Sequence, residues 1–449
     1  MDLASLRAAS PGIVVDVSDE ALEAARADRS GHRATGRPLA VVRATEVEHV
    51  QAALRWASAH GVPVVPRGAG TGLAGGANTG EGELSIDVSG MRRILEVSAA
   101  DQLAVVEPGI LNADLNAALA EHGMWWAPDP ASRAISTVGG NIATNAGGLL
   151  CAKYGVTREA VLALGVVLAS GERIDVGHRT VKGVTGLDLA ALMIGSEGTL
   201  GIIVEATLRL RPVVPGGIWT IGAFFDDEVA AAAACAAITA ARIRPAIMEL
   251  VGTESVRMLA AYTGRAMRGA FVLVQVDDVG AEAIARDALA IVEAHGGDAE
   301  LTDDVERSAM LVEVRRQVHF ALDSFGTVLV EDVSVPRTRM PDMFALCADV
   351  AKRYGVTVAT SAHAGDGNLH PTFVFDEEEP TEEIWAAADE IFRGAIAMGG
   401  TLTGEHGVGV LKRRWLGLEL GDTQLRLQRE IKAVFDPAGI LNPGKVFEV

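Results

Sequence analysis

Cysteine is scarce in this chain. Its 449 residues hold three, Cys151, Cys235 and Cys347, and no two stand in a C-x-x-C spacing, so neither an iron–sulfur cluster nor a thiolate zinc centre can be built. A reducing, cytoplasmic setting is the simplest expectation. Positive charge is in deficit: 39 Lys and Arg stand against 59 Asp and Glu, a formal net charge of −20. This argues against nucleic acid or an anionic membrane surface as a partner, since both would be repelled. Long apolar runs are missing too. The longest, Ala160 to Ala169 and Val229 to Ala241, fall short of the roughly 20 residues of a membrane helix. The opening MDLASLRAAS lacks a basic stretch followed by an apolar one, so no secretory signal is expected and any membrane contact is peripheral.

What the chain has is apolar residues, 49% of the total, and length enough for two or three domains. Pro38 to Arg43 reads as a strand. A helix from Glu46 to His60 follows, with Thr45 and Glu48 as a capping box and Gly61 as its stop. Strand Val62 to Val65 then runs into PRGAGTGLAGGANTGEG. Gly70, Gly72 and Gly75 have the spacing of a dinucleotide fingerprint, but that motif must open a helix. The next element here reads as a strand, Glu83 to Val88. A glycine-dense loop still offers backbone N–H groups to a phosphate. Two more such clusters follow, ISTVGGNIATNAGG (Ile135 to Gly148) and GSEGTLGII (Gly195 to Ile203). Any one of them alone reads as an ordinary turn; three in one domain favour a long pyrophosphate-containing ligand.

After the last cluster, Ile202 to Arg211 alternates as a half-buried strand, and Pro212 to Gly217 reads as a linker. Two strand–helix–strand units follow, Ile218 to Val251 and Phe271 to Thr302, the pattern of a ferredoxin-like antiparallel sheet. A helix from Thr381 to Met398 leads to GGTLTGEHGVG, and helical segments precede DPAGILNPGKVF.

Two segments carry chemistry. In SAHAGDGNLHPTFVF, Asp366-Gly367 is a dipeptide of two-residue hairpin turns. Such a turn sets His363 directly opposite His370, with Cβ atoms about 4.5–5.5 Å apart. The pair is either half of a metal site or two surface polar residues beside a turn. In GEHGVG, adjacent Glu405 and His406 diverge, so one ligand and one base suit them better than two ligands. With the histidine pair, Glu405 makes a His₂Glu set with an open position, and His406 is placed to take a proton. The competing reading is a glycine-rich turn bearing an exposed Glu-His pair.

Taken together, PRGAGTGLAGG, STVGGNIATNAGG, GSEGTLGI, HAGDGNLH, GEHGVG and ILNPGK resemble the FAD-linked 2-hydroxy acid dehydrogenases. These are the glycolate oxidase flavoprotein subunit, D-lactate dehydrogenase and D-2-hydroxyglutarate dehydrogenase branch of the vanillyl-alcohol-oxidase superfamily. The resemblance spans Pro38 to Phe447, with six motifs in the family's order. It implies an α+β protein with a two-lobed PCMH-type FAD-binding domain (1–212), a ferredoxin-like antiparallel-sheet substrate or cap domain bearing the histidine hairpin (213–398), and a C-terminal segment returning to the flavin site (399–449).

By the same resemblance, FAD is cradled by Pro66, Arg67, Gly68, Ala69, Gly70, Thr71, Gly72 and Gly76 of the first loop, and by Pro128. Thr137, Gly139, Gly140, Asn141, Thr144 and Gly147 of the second cluster, Glu197, Gly198 and Ile203 of the third, and Asn442 complete the cofactor set. Relatives with covalent flavin commonly have a histidine where this chain has Thr71, so the flavin is expected to be non-covalent. His363, His370 and Glu405 match ligands of one divalent metal, zinc favoured over manganese or iron. His406 matches the catalytic base, and Arg315 the arginine that grips the substrate carboxylate, with Arg316 as the alternative.

The expected reaction is oxidation of a D-2-hydroxy acid to the 2-oxo acid, with electrons passed to an electron-transfer flavoprotein, a quinone, a cytochrome or oxygen. A homodimer is compatible with the pattern. There are departures from the family. Val330-Glu331 stands where the hydroxyglutarate enzymes carry a lysine, Thr372 replaces an asparagine, and Val312 replaces a tryptophan. A small monocarboxylate such as D-lactate or glycolate is therefore favoured. The alternatives are a non-redox flavoenzyme of the same superfamily, a flavin-binding subunit of a larger dehydrogenase, and a metal hydrolase without flavin.

Overall fold

Two groups of strands, each with its own apolar core, organise the chain in the computed structural model, which describes residues 3–447. The first unit comprises Met1–Gly147, Gly155–Val213 and Glu405–Val449; the second comprises Gly148–Tyr154 and Val214–Gly404.

Among the described residues the first unit holds two larger sheets, besides the short pair Met124–Trp125 and Arg211–Pro212. In one, the strands run in the order Val14–Asp16, Ala40–Arg43, Leu84–Asp87, Val64–Arg67, and the last three are mutually parallel. The helix Val47–His60 supplies the crossover that parallel neighbours need. It ends at Gly61, whose φ of 63° is the left-handed stop foreseen there. Its start differs from expectation. Glu46 is the N-cap without a side-chain bond, and Thr45 instead meets the ring of buried His49, its N–H 3.3 Å from Nδ1. The C-terminal pair Ile440 and Leu441 belongs to this core. Val64 N–H donates to Ile440 O at 2.7 Å and Asn442 N–H to Val64 O at 2.7 Å, which brings Asn442 to the end of the strand that feeds the first glycine loop.

The other sheet is antiparallel, in the order Ile94–Ser98, Leu103–Val106, Ile202–Arg209, Val161–Val167, Arg173–Gly177. The segment read as half-buried is its middle strand, and residues 202–204 and 206–208 are all buried. Both of its faces are covered, so its alternation does not mark a solvated side.

In the second unit, the strands Asp298–Thr302, Trp219–Phe225, Ala270–Val276 and Ile247–Val251 lie in that order, all antiparallel. Numbered along the chain this is 4-1-3-2, the ferredoxin-like arrangement, and the sheet continues through Thr357–His363, Asn368–Phe375 and Thr327–Val330. One helix between the two βαβ units, Thr253–Thr263, was not foreseen. It buries Val256, Met258 and Leu259 in the core with Phe271 and Leu311. The helix expected after the sheet is present as Glu382–Ala397, with Thr381 accepting from Ile384 N–H as its cap.

Candidate active site

In the first unit, the glycine clusters converge because nothing larger would let their loops touch. A methyl at Gly68 would overlap the Thr137 hydroxyl, and one at Gly198 would lie 2.7 Å from Pro66 Cγ. Gly198 also sits at φ 70°, so geometry and space both demand glycine there. Thr137 caps the helix Val138–Thr144, accepting from Gly140 N–H at 3.2 Å. Asn112 joins this cluster to Pro128, its N–H meeting Ser136 O at 3.1 Å and its amide Pro128 O at 2.8 Å.

Asn442 knots the first and third loops. Its side-chain amide donates to Gly76 O at 2.9 Å and to Glu197 O at 2.7 Å. Asn442 and Glu197 both hold left-handed backbone, φ 44° and 51°, a strain that persists where the surroundings over-determine it. Asn141 Nδ2, Asn442 Oδ1 and Ser136 Oγ are buried without a hydrogen-bond partner among the described residues. Unpaired buried polar atoms in a cradle of glycine loops fit a polar, phosphate-bearing ligand.

Three of the residues expected here have side chains engaged with the protein itself. Arg67 spends its guanidinium on Ala77 O (3.0 Å) and Ala27 O (2.9 Å), so it shapes the loop. Ile203 lies in the second apolar core. Glu197 turns its carboxylate to the loop after His406, accepting from Val408 N–H at 2.7 Å and Gly409 N–H at 2.9 Å. Burial pushes its pKa up to about 7, against the two N–H bonds and Lys412, which lower it. That same loop carries Glu405 and His406 in the first unit, where Glu405 fills the space that the missing side chain of Gly147 leaves open.

In the second unit, His363 and His370 come together on the hairpin of Thr357–His363 and Asn368–Phe375. The register is not the one a two-residue turn gives. His363 faces Asn368, and Ser361 faces His370. The loop is the four residues 364–367: Asp366 and Gly367 N–H both donate to His363 O, and the Asp366 carboxylate accepts from Asn368 N–H at 3.1 Å. His370 is thus diagonal to His363, and because the offset is even, both stay on one face. Their rings are 5.1 Å apart and nearly perpendicular, and both are buried; the exposed-turn reading of this pair is excluded.

Around them stand groups that sequence reading missed. Glu249, in the neighbouring strand and directly opposite His363, is 1% exposed. One of its oxygens lies 2.7 Å from His363 Nδ1 and the other accepts from Arg315 Nε at 2.7 Å. Arg315 belongs to the helix Val305–Arg316 and points inward, while Arg316 is exposed. Asp332 is buried, accepts from Asn368 Nδ2 at 2.6 Å and from Thr403 Oγ1 at 2.7 Å, and lies 4.0 Å from His370 Nδ1. Val330 pairs with Thr372, and Glu331 N–H donates to Pro371 O. Asp332, one residue past Glu331, is thus an acid beside His370. A charged residue inside the apolar run IMELV was the visible signal for Glu249.

Residues 38–177 match the family described as FAD binding domain, and residues 216–446 match FAD linked oxidases, C-terminal domain. The glycolate oxidase subunit GlcD of Bacillus subtilis (strain 168) is 40% identical over 420 residues, 91% of this chain and 89% of the relative. D-lactate dehydrogenase of Anaerostipes hadrus is 32% identical, covering 96% of this chain and 94% of the relative. The chain belongs to the FAD-linked oxidases.

It is an FAD-dependent oxidoreductase of the glycolate oxidase, D-lactate dehydrogenase and D-2-hydroxyglutarate dehydrogenase family. The D-2-hydroxyglutarate dehydrogenase of Xanthomonas citri pv. viticola is 34% identical over 93% of this chain and 90% of the relative. Among solved structures, substrate-bound p-cresol methylhydroxylase shares the fold, with TM-score 0.81 at 18% identity over 99% of this chain and 96% of that one. No helix among the described residues is long and apolar enough to cross a membrane.

Proposed function

We propose that this FAD-linked oxidase converts a D-2-hydroxy acid to the 2-oxo acid. The observation that carries the reading is the cluster of Arg315, His363 and His370: two buried imidazoles on one face of the extended sheet, joined through Glu249 to the half-buried guanidinium of a packed helix. Arg315 binds the substrate carboxylate, since its planar fork suits a single carboxylate. FAD, held by the glycine loops, would supply the acceptor for the hydride that leaves the substrate Cα. A divalent ion would be held by His363, His370 and Glu405, where it would lower the cost of alkoxide charge on the substrate oxygen. The donor set supports such an ion: two buried imidazoles share a face, and His363 has its other nitrogen against a carboxylate, as metal-bound histidines usually do. Gly404 lies beside Asp332 and Asn368, and Glu405 follows it by one peptide bond. His406 takes the hydroxyl proton.

Several finer points belong to this reading. The flavin is non-covalent, held by the three glycine loops and Asn442. The ion is zinc, with manganese and iron as the alternatives that mixed N/O ligation allows. A separate acceptor reoxidises the flavin. The three cysteines are buried and form no disulfide among the described residues, in keeping with a cytoplasmic enzyme. Flavin binding on 1–212, substrate groups on 213–398 and a returning segment 399–449 is the proposed division of labour. A small monocarboxylate is preferred, because the acid neighbours Asp332 and Glu249 surround the histidine face.

Variants separate the roles. His370→Ala should lose both metal and turnover while keeping its flavin spectrum. His406→Ala should keep the metal and lose rate. Equal metal loss in the two variants would sink the assignment of His406 as base.

A further inference from the structure

Glu249 touches both halves of the second unit's site. It comes from a central strand, Ile247–Val251, whose five residues are all buried, and among buried carboxylates an unpaired one is costly. Its two oxygens are divided. One meets His363 Nδ1 and the other takes the Arg315 Nε proton, each at 2.7 Å. Resting on the proposed function above, we infer that Glu249 is a positioning residue that orients a metal-binding histidine and the substrate-binding arginine with one carboxylate.

The division has chemical consequences. With one oxygen taken by the guanidinium of Arg315, which is itself only 15% exposed, the Glu249 carboxylate turns its other oxygen to His363 Nδ1 as an acceptor. His363 Nδ1 must therefore carry the hydrogen and donate it, which fixes the tautomer with the lone pair on Nε2, the nitrogen a cation needs. Arg315 is gripped at Nε, its side position. The two terminal nitrogens, the pair that meets a carboxylate end-on, are left for the substrate. Register explains why one residue can serve both. Glu249 is the Cα partner of His363 across the strands, and the last turn of Val305–Arg316 sets Arg315 against its other oxygen.

Glutamine at this position is the informative change because it keeps size and shape. Its carbonyl should turn to Arg315, the charged donor, which sets its NH₂ against His363 Nδ1. That nitrogen must then accept, the proton moves to Nε2, and the lone pair for the ion is lost. In flavin-loaded protein, Glu249→Gln should weaken zinc affinity, read by competition with a chelator, by about 10- to 100-fold. Its KM for the hydroxy acid at saturating zinc should rise less than about threefold, given the retained Arg315 contact. Arg315→Met should show the mirror image, a raised KM with zinc affinity near wild type. Glu249→Ala should impair both.

Flavin content and thermal midpoint establish that each variant is folded, and Glu249→Asp stands in for Ala where Ala does not fold. Wild-type zinc affinity in Glu249→Gln would overturn the inference alone, provided the wild-type protein binds zinc and its flavin is reduced by a hydroxy acid. Unchanged KM in both Glu249→Ala and Glu249→Asp would overturn the Arg315 half. Failure of the wild-type protein to bind any divalent ion would overturn the inference together with the reading beneath it.

Discussion

Replacing Glu197 by glutamine should remove a pH dependence from the protein's stability. Glu197 is buried, and desolvation raises its pKa from 4.5 to about 7 in the folded state. In the unfolded chain the same group returns to the ordinary carboxylate range. Between these limits the native state binds more protons than the unfolded one, so the contribution of this residue falls as pH rises. Stability is retained below about pH 4.5 and lost progressively up to about pH 7, the reverse of a salt-bridged carboxylate. A difference of about 2.5 units corresponds to on the order of 3 kcal/mol at 1.36 kcal/mol per unit. Glutamine does not titrate. It also presents NH₂ to one of the two N–H donors of Val408 and Gly409, a pH-independent cost of about 1–2 kcal/mol. About 2.5 kcal/mol of this falls between pH 5 and pH 8, so the thermal midpoint of Glu197→Gln relative to wild type should climb by about 5–10 °C over that range, at about 2–4 °C per kcal/mol for a unit of this size. The assay is a pair of pH-resolved melting series on flavin-loaded protein. A gap that is the same at both ends would refute the argument that an uncharged Glu197 is the native form at low pH.

Acid precipitation should release essentially all the flavin, because Thr71 offers no attachment point; a yellow pellet under a clear supernatant would contradict this. Asn442→Ala removes donors to Gly76 O and Glu197 O and places alanine at φ 44°. It should cost about 2–4 kcal/mol and weaken flavin retention on a desalting column, and unchanged retention would dissociate this residue from the cradle. D-lactate should exceed D-2-hydroxyglutarate by at least about tenfold in kcat/KM, about 1.4 kcal/mol. The reverse preference in steady-state kinetics would show that a cation such as Arg316 or His319 serves the second carboxylate.

The ferredoxin-like order was readable because each strand–helix–strand unit announces itself by a switch of apolar period, and that topology admits few sheet orders. The helix Thr253–Thr263 was not read, since its apolar positions, Val256, Met258 and Leu259, make too short a stripe between two strands. Composition alone did not settle the hairpin register. Asp366-Gly367 suits a two-residue turn, but two N–H groups bonded to His363 O close a longer loop, and the alternation of faces survived only because the offset is even. The three glycine clusters were legible in the sequence, whereas the inward turn of Glu197 and the use of Arg67 on loop carbonyls depend on packing between distant segments. Glu249 and Asp332 escaped for the same reason. An acid within an apolar strand signals that a partner exists, but only the fold names His363, Arg315 and Asn368 as those partners.

Anaerobic mixing of the flavin-loaded protein with paired D- and L-2-hydroxy acids, followed through the oxidised flavin absorbance, tests the central claim most directly. Rapid bleaching by a D-2-hydroxy acid, with one equivalent of 2-oxo acid formed per flavin and little response to the L-enantiomer, is the predicted result. Flavin that stays oxidised with every D-acid of the series, in protein replete with divalent metal, would contradict it.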